Sequence, residues 1–333
     1  MDGGRVMSLV RIPLVDIRDG GAAVLYRDHR EGAHRLLAAG RRKMSPPVVT
    51  FFDGRSARWA VRANNPYCEE IAVLAAGMPR GVWFMNFCYE WGCTTAVEPS
   101  STGSMSMRRT LDWPFDGLGR ELIVALQTGP TGDFYNITWP GFSGVITGMA
   151  PGRFSLAINQ APMRLKRGWP APAGWLHDRI RVGRSRFLPP AHLARRVFET
   201  CSDYEAAVAM VRNTPIALPA LYSLAGARSG EGCVIEHLGT EARIHEAPEA
   251  VANDWLSPDL GGRPRGRENA ARRAMIRGPG EDANPLHWVR EPVLNRDTRM
   301  AAVLDAGAGS IALRGYEADG VATELFSLPA TAA

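Results

Sequence analysis

The sequence contains almost no lysine. Lys43 and Lys166 are the only lysines among 39 basic residues, so arginine carries nearly all of the positive charge. The formal net charge is +5, and the arginines are scattered among acidic residues rather than gathered in one segment. No nucleic-acid-binding motif accompanies them. The composition therefore gives no support for a nucleic-acid partner, and it is ordinary for a soluble globular enzyme.

Paired cysteines and long apolar runs are lacking as well. The 5 cysteines form no CxxC pair, and no histidine stands near them at metal-ligand spacing. Such an odd, sparse count argues against a disulfide framework and for a reducing compartment. No apolar run is long enough to cross a membrane, and residues 1–16 have no signal-peptide core. These absences predict a cytoplasmic protein with no metal, no cofactor and no stable membrane insertion.

The pattern of apolar residues changes character at Cys93. Before this residue, helices are predicted around residues 31–41 and over most of residues 56–90. After it, short strands separated by Gly, Pro, Asp and Ser turns are predicted at Thr94–Glu98, Ser104–Arg108, Leu122–Gln127, Phe134–Trp139, Gly144–Met149 and Phe154–Asn159. The first part of the chain is therefore predicted to be mostly helical, and the next part to be a block of strands.

Helices and strands alternate again in the second half. Residues 161–189 are predicted to form a long surface excursion, because they are rich in Pro, Gly, Arg and Trp. Two helices are predicted next, Ala191–Glu199 and Tyr204–Val211, with Ser202 as the cap of the second. Later strands are predicted at Ala220–Ala225, Gly232–His237, Ala242–Glu246, Ser310–Arg314 and Thr323–Ser327, with a polar helix near Glu268–Ile276. This order indicates a layered α+β fold.

Cys93 stands at the junction between the helical part and the strands. Gly92 places no side chain on the peptide that precedes the thiol. If the Gly92–Cys93 bond is cut, Cys93 has both a thiol and an α-amino group. That amine has a reference pKa of roughly 7.7–8.0, so it can take the thiol proton near neutral pH without a histidine. The alternative is a small buried apolar side chain with no catalytic role.

Arg109 and Asp112 lie a hairpin's distance beyond Cys93 and can return beside it on the neighbouring strand. A guanidinium would favour the thiolate, while a carboxylate would hold the amine. The thiol could also attack the carbonyl of Gly92 and give a thioester that water hydrolyses. We therefore predict that Cys93 is an N-terminal nucleophile created by self-cleavage, and that Gly92 and Cys93 flank the processed bond.

The residues around this junction resemble a known family. The run from Phe84 to Thr95, FMNFCYEWGCTT, is similar to the subunit junction of acid ceramidase and N-acylethanolamine acid amidase. These enzymes belong to the choloylglycine hydrolase group of N-terminal-nucleophile (Ntn) hydrolases. The resemblance continues through Arg109–Trp113 and Gly148–Asn159 and covers about residues 82–275. It implies a four-layer αββα sandwich with an added N-terminal helical segment, divided into residues 1–92 and a catalytic domain over residues 93–333.

The resemblance also implies roles for particular residues. It assigns the nucleophile to Cys93 and the catalytic partners to Arg109 and Asp112. Asn159 matches an asparagine that contacts substrate and oxyanion. Trp113, which ends the Arg109–Asp112 segment, is predicted to contact substrate. None of these assignments requires a cofactor or a metal.

Two further residues are implied for the same site. An asparagine that supplies a group to the oxyanion hole is assigned to Asn253. An arginine that completes the site is assigned to Arg267. Three other arginines lie close enough in the sequence to be alternatives, namely Arg263, Arg265 and Arg272.

The predicted function is hydrolysis of N-acyl amides, of the N-acylethanolamine or ceramide kind, through an acyl-enzyme on Cys93. The two fragments of the cut chain are expected to stay associated, and no oligomeric state is predicted. One alternative is an amidase of the penicillin V acylase or bile salt hydrolase kind, because the same site could serve it. Another is an uncleaved relative that binds acyl ligands without catalysis.

Overall fold

The computed structural model describes residues 9–87, 91–164, 170–277 and 284–330. Its helices are α1 (Gly21–Asp28), α2 (Arg30–Lys43), α3 (Pro46–Arg62), α4 (Cys68–Gly77), α5 (Val82–Phe87), α6 (Ala171–Val182), α7 (Pro190–Thr200), α8 (Tyr204–Asn213) and α9 (Asn269–Ile276). Among these described helices, none combines the length and the apolar character that a membrane span requires.

The strands are β1 (Leu14–Asp16), β2 (Gly92–Pro99), β3 (Met105–Asp112), β4 (Ile123–Gly129), β5 (Gly132–Thr138), β6 (Thr147–Ala150), β7 (Phe154–Gln160), β8 (Ala220–Gly226), β9 (Gly232–His237), β10 (Ala242–Glu246), β11 (Glu249–Val251), β12 (Thr298–Asp305), β13 (Ser310–Glu317), β14 (Gly320–Val321) and β15 (Phe326–Leu328). In the described parts of the chain they form two sheets. The large sheet has the order β1-β4-β5-β6-β7-β8-β9-β10, and the small sheet has the order β11-β2-β3-β12-β13-β14, with β15 also on β13.

The two sheets pack face to face over one continuous apolar core. Between the sheets it contains Cys93 and Met107 from the small sheet together with Met149 and Ala157 from the large sheet. Helices α7 and α8 cover the outer face of the large sheet, and α9 lies on the outer face of the small sheet against β2 and β11. The result is an αββα layering, because each sheet buries one face against the other sheet and one against helices.

The alternation of side chains along β2 and β3 determines what surrounds Cys93. Successive residues of a strand point to opposite faces of the sheet. Cys93 and Leu111 lie in the core between the sheets, whereas Ala96 belongs to a separate cluster on the outer face of the small sheet. Arg109 therefore points inward on the same face as Cys93, and Asp112, three residues later, points outward towards α9.

The N-terminal helices form a second core beside the sandwich. Trp59, Ile71, Leu74 and Phe87 are central to it. Polar contacts also connect this segment to α7, among them the following two. Arg195 pairs with Glu70 at 2.6 Å, and the Tyr67 hydroxyl donates to Glu199 at 2.7 Å. The segment before Cys93 is therefore fastened to the rest of the chain by apolar and polar contacts other than the peptide bond.

The structure differs from the sequence predictions in several places. The segment 161–189 contains the helix α6, whose first turn carries prolines, which suit that position. Asp203, not Ser202, caps α8, because its side chain accepts the N–H of Ala206. The strand β12 was not predicted. It is central in the small sheet and buried on both faces, so its sequence lacks the alternation that marks a half-exposed strand.

Candidate active site

Cys93 lies near the start of β2 and its side chain is fully buried. Nη2 of Arg109 donates to its sulfur at 3.2 Å, and the sulfur lies 3.7 Å from the carbonyl oxygen of Ile158 on β7. The thiol therefore lies between the two sheets, next to a guanidinium and a backbone carbonyl that are hydrogen-bonded to each other.

Arg109 extends from the small sheet across the core to the large sheet. Its Nε donates to Thr147 at 2.7 Å, and its Nη1 donates to Asn159 at 2.5 Å and to Thr95 at 3.0 Å. Its Nη2 also donates to the carbonyl of Ile158 at 2.8 Å. All of these acceptors are neutral, and no ion pair joins this guanidinium to a carboxylate of the described residues. A buried positive charge is thus compensated only by dipoles and by the sulfur.

Burial dominates the ionisation of the thiol in the intact chain. It raises the pKa of Cys93 to about 11, although Arg109 acts in the opposite direction and Asp112 adds to the increase. The thiol is therefore protonated at neutral pH while the chain is intact. The guanidinium stabilises a thiolate, but its effect is outweighed until water reaches the sulfur.

Asp112 and Arg272 occupy the other face of the same strand pair. Arg272 projects from α9, and its Nη1 donates to Asp112 Oδ2 at 2.9 Å and to the carbonyl oxygen of Cys93 at 3.1 Å. The Thr298 hydroxyl donates to the second carboxylate oxygen of Asp112 at 2.9 Å. Burial raises the pKa of Asp112 above its ordinary value, with Arg272 opposing the shift. On the outer face of the small sheet, this ion pair therefore fixes the backbone on both sides of the Gly92–Cys93 bond, because Asp112 is the strand partner of Gly92.

Asn253 contacts the backbone nitrogen of the candidate nucleophile. The register of β11 against β2 pairs Val251 with Thr95, so Asn253 comes opposite Cys93. Its Oδ1 accepts the N–H of Cys93 at 2.7 Å, and its Nδ2 donates to the carbonyl of Gln160 at 2.9 Å. The side chain of Asn253 thus accepts the backbone N–H of Cys93 just beyond the point where the β11–β2 pairing ends. Cleavage would turn this backbone nitrogen into an amine.

The side-chain amide of Asn159 binds Arg109 and the backbone segment that leads to Asn253. Its Oδ1 accepts from Thr95 at 2.7 Å and from Arg109, while its Nδ2 donates to the carbonyls of Val251 at 3.1 Å and Ala252 at 3.0 Å. Both ends of the amide are therefore engaged in the intact chain. In this arrangement Asn159 positions the guanidinium and ties β7 to the segment that leads to Asn253.

Arg267, the arginine assigned from the sequence, lines a cavity with Gly92 and Asp112, but Arg272 is the arginine that contacts Cys93 and Asp112 directly. Arg267 is exposed, and its backbone carbonyl accepts from Nε of Arg272 at 2.9 Å. Arg272 is buried, as is Ile276 one turn later, so this face of α9 packs on the small sheet. The helical spacing of these two residues, with an apolar one at Ile276, is the sequence signal that favours Arg272. Arg263 and Arg265 make none of these contacts to Cys93 or Asp112.

Two aromatic side chains lie beside Gly92 and its strand partner Asp112. Trp91 is buried, and its ring lies 5.0 Å from the ring of Trp113. The backbone N–H of Trp91 donates to Oε1 of Gln160 at 3.0 Å. A side chain at Gly92 would place its first carbon 3.3 Å from the Cβ of Asp112. Residues 88–90 of the junction lie outside the described residues.

Three cavities meet at this tryptophan pair, and one of them, of about 640 Å³, is lined by Trp91, Gly92 and Asp112. Trp113 lines an apolar cavity of about 300 Å³, together with Leu37, Met85 and Phe115. Trp91 lines a larger cavity of about 510 Å³ that contains several arginines. In the described parts of the chain, no group of three or more His, Cys, Asp or Glu side chains is placed to hold a metal ion.

Known proteins resemble this chain in sequence and in fold. No model of a protein family matches it. The N-acylethanolamine-hydrolyzing acid amidase of Rattus norvegicus is 29% identical over 250 residues, covering 73% of this chain and 59% of that protein. The acid ceramidase of Homo sapiens is 29% identical over 191 residues, covering 51% of this chain and 47% of that protein. The chain thus spans only about half of the length of the curated relatives that it matches.

The fold is shared with a solved structure. The Caenorhabditis elegans ortholog of N-acylethanolamine-hydrolyzing acid amidase has a TM-score of 0.51 and 19% identity, and the match covers 71% of this chain and all of that one. At this identity the likeness shows the fold alone. The chain is therefore a homologue of these amidases with an Ntn-hydrolase fold, which confirms both the resemblance and the αββα sandwich predicted from the sequence.

Proposed function

We propose that this chain is a self-processing cysteine amidohydrolase that cleaves the amide bond of N-acyl amides. The observation that carries the proposal is that two different residues hold the two reacting atoms of Cys93, its sulfur and its backbone nitrogen. The sulfur is held by Arg109, and the backbone nitrogen by Asn253. These are the two atoms that an N-terminal cysteine uses as nucleophile and base. The names of the homologues, which are amide hydrolases, support the same reading.

Processing converts the intact chain into the active form. The thiol of Cys93 attacks the carbonyl carbon of Gly92, and the thiol proton passes to the nitrogen of Cys93 as the peptide bond breaks. Water then hydrolyses the thioester, which leaves a carboxylate on Gly92 and a free thiol and amine on Cys93. A protonated thiol suits this step, since its proton is the one that the leaving amine needs.

Turnover uses the new amine as the base. An α-amine with a reference pKa of roughly 7.7–8.0 can take the thiol proton near neutral pH. Arg109 stabilises the thiolate, which attacks the substrate carbonyl, and the amine returns the proton to the leaving amine. Water then hydrolyses the acyl-enzyme through the reverse proton path. Asn253 Oδ1, which accepts the N–H of Cys93 in the intact chain, would orient this amine.

The apolar cavity supplies a place for the acyl chain. Its walls come from both predicted fragments, with Leu37 and Met85 before the junction and Trp113, Phe115 and Trp139 after it. An acyl chain buried there gains roughly 0.8 kcal/mol per CH₂ removed from water. The contacts of Glu70 and Tyr67 with α7 would keep the two fragments together after cleavage, as this cavity requires.

The proposal is tested with N-acylethanolamines of several chain lengths and the variant Cys93→Ala. Wild-type chain should release free fatty acid, and Cys93→Ala should release none. Cys201→Ala is the matched control, since Cys201 is buried at the end of α7 away from the junction. Activity in Cys93→Ala equal to that of the control would overturn the proposal. So would a folded wild-type chain that hydrolyses no N-acyl amide, which is the behaviour of a non-catalytic ligand-binding protein.

A further inference from the structure

We propose that Arg299 and Glu317, which lie behind one wall of the apolar cavity, determine how the enzyme discriminates between acyl chains of different length. This inference rests on the proposed function and names positioning residues for its acyl site. The wall in question is the loop over residues 113–119, called the wall loop below, which brings Trp113 and Phe115 to the cavity. Neither Arg299 nor Glu317 is among the described residues that line the cavity, so each acts on an acyl chain only through this loop.

Glu317, on β13, binds two backbone N–H groups of the wall loop. Its Oε2 accepts the N–H of Gly117 at 3.1 Å, and its Oε1 accepts the N–H of Gly119 at 2.9 Å. The side chain of Glu317 is only 9% exposed, so water competes little for these two bonds. A carboxylate accepts from such donors more strongly than a neutral group does. One carboxylate therefore holds the far end of the wall loop on the small sheet.

Arg299 binds the same loop from β12. Its Nε donates to the carbonyl of Phe115 at 2.8 Å and lies 3.6 Å from Oε2 of Glu317. Its Nη1 donates to the carbonyls of Arg296 and Thr298 at 3.0 and 2.9 Å, which fixes the guanidinium at the start of its own strand. The guanidinium therefore fixes the backbone of Phe115 relative to the small sheet, and it contacts the carboxylate that holds the rest of the loop.

The opposite wall of the cavity comes from helix α2, in the segment before the junction. Leu37 and Gly40 are its contributions, and a side chain at Gly40 would place its first carbon 2.8 Å from the ring of Phe115. The ring of Phe115 thus lies directly against α2. The cavity has a volume of only about 300 Å³, so a small displacement of this ring changes how much of an acyl chain is buried. By fixing the wall loop, Arg299 and Glu317 set the distance between the two walls.

The test compares a long and a short N-acylethanolamine. The chain of N-dodecanoylethanolamine needs most of the cavity, whereas that of N-butanoylethanolamine leaves most of it empty. Glu317→Gln takes the acceptor from one of the two N–H groups, so the wall loop shifts and the long chain is buried less well. We expect the dodecanoyl-to-butanoyl ratio of kcat/KM to fall about 4- to 15-fold, the loss that one or two unburied methylenes give. The fall should come from a higher KM for the long substrate, with kcat for both substrates unchanged.

Two further variants control for a general loss of stability. Asp305→Asn is the matched control, because Asp305 lies at the other end of β12 and binds the loop of Ser100 and Ser104 in the same manner. It should leave the dodecanoyl-to-butanoyl ratio unchanged. Arg299→Lys keeps the positive charge, but its single nitrogen cannot make all of the contacts of the guanidinium. Its ratio should fall in the same direction as that of Glu317→Gln, again through KM.

The outcomes separate this inference from the proposed function. If the wild-type chain hydrolyses both substrates and the ratio is unchanged in Glu317→Gln and in Arg299→Lys, the inference is overturned and the amidase stands. An equal fall in Asp305→Asn would also overturn the inference, because the effect would then reflect lower stability alone. So would a fall that lies entirely in kcat. Hydrolysis of neither substrate by the wild-type chain would overturn both proposals.

Discussion

The two buried arginines beside Cys93 have opposite electrostatic surroundings. Arg109, on the face of the thiol, is bound by neutral oxygens and the sulfur, whereas Arg272, on the outer face, is paired with Asp112. A buried charge is costly unless it is compensated. Arg272 is compensated in the intact chain. The charge of Arg109 has no negative partner among the described residues until the sulfur of Cys93 becomes a thiolate. It is therefore available to stabilise this thiolate, which forms during the reaction.

This difference separates two tasks that similar side chains perform. Arg272 links α9 to the carbonyl of Cys93 and to Asp112, and it thereby fixes the backbone at the junction. Arg109 binds only neutral oxygens and the sulfur, and its charge stabilises an anion at the sulfur. Each arginine can be replaced by methionine, which has a similar length. The replacement of Arg272 should mainly lower stability, whereas the replacement of Arg109 should mainly lower the reaction rate.

The largest effect on stability is expected for Arg272→Met. The substitution leaves the carboxylate of Asp112 buried without its partner, which typically costs roughly 3–5 kcal/mol of unfolding free energy. Denaturant unfolding should be measured in a Cys93→Ala background, so that every variant remains one chain. Adding Asp112→Asn should restore much of the loss. Equal stability of the single and double variants would show that the ion pair does not support the junction.

A smaller effect on stability and a large one on rate are expected for Arg109→Met. No carboxylate is stranded by this change, so the unfolding free energy in the Cys93→Ala background should fall less than in Arg272→Met. With Cys93 present, loss of a neighbouring cation should reduce the thiolate about 10- to 1,000-fold in the processed enzyme. The pH–rate profile of hydrolysis should shift to higher pH, and Arg109→Lys should recover part of the rate. An unchanged profile would contradict a role in stabilising the thiolate.

The smallest effect concerns the pH dependence of stability on the outer face. Burial raises the folded pKa of Asp112 above the ordinary 3.8, so the folded chain holds this proton at pH values where the unfolded chain has lost it. The stabilisation that the bound proton of Asp112 gives is fully present below the unfolded pKa of 3.8, and it is lost as the pH rises through the folded pKa. Cys93→Ala should therefore lose stability relative to Cys93→Ala/Asp112→Asn over this window. Parallel pH profiles of the two variants would contradict the shift.

Much of the fold followed from local patterns, because turns and alternation mark the half-buried strands and proline marks several helix starts. The strand β12 was not predicted because it is buried on both faces, so its sequence lacks the alternation of apolar and polar residues. Cys93, Arg109 and Asp112 could be singled out from the sequence, since β2 and β3 are neighbours in both sequence and space. Their roles as catalytic groups stay predictions.

The rest of the site depends on contacts across the sandwich. Thr147 on β6 binds Arg109, and Thr298 on β12 binds Asp112, yet neither threonine has a local signal that sets it apart. Arg272 could not be chosen over Arg267 without the register of α9 on the small sheet, although the buried spacing to Ile276 points to it. Sequence patterns thus locate the junction, and tertiary packing decides which side chains meet there.

The central claim is that Cys93 becomes an N-terminal residue, and the mass of the purified wild-type chain tests it most directly. The account predicts two fragments that end at Gly92 and begin at Cys93, remain associated under native conditions, and together add one water to the 36.2 kDa chain. The same preparation of Cys93→Ala should be one uncut chain. A wild-type chain that hydrolyses N-acyl amides while its Gly92–Cys93 bond stays intact would contradict the account.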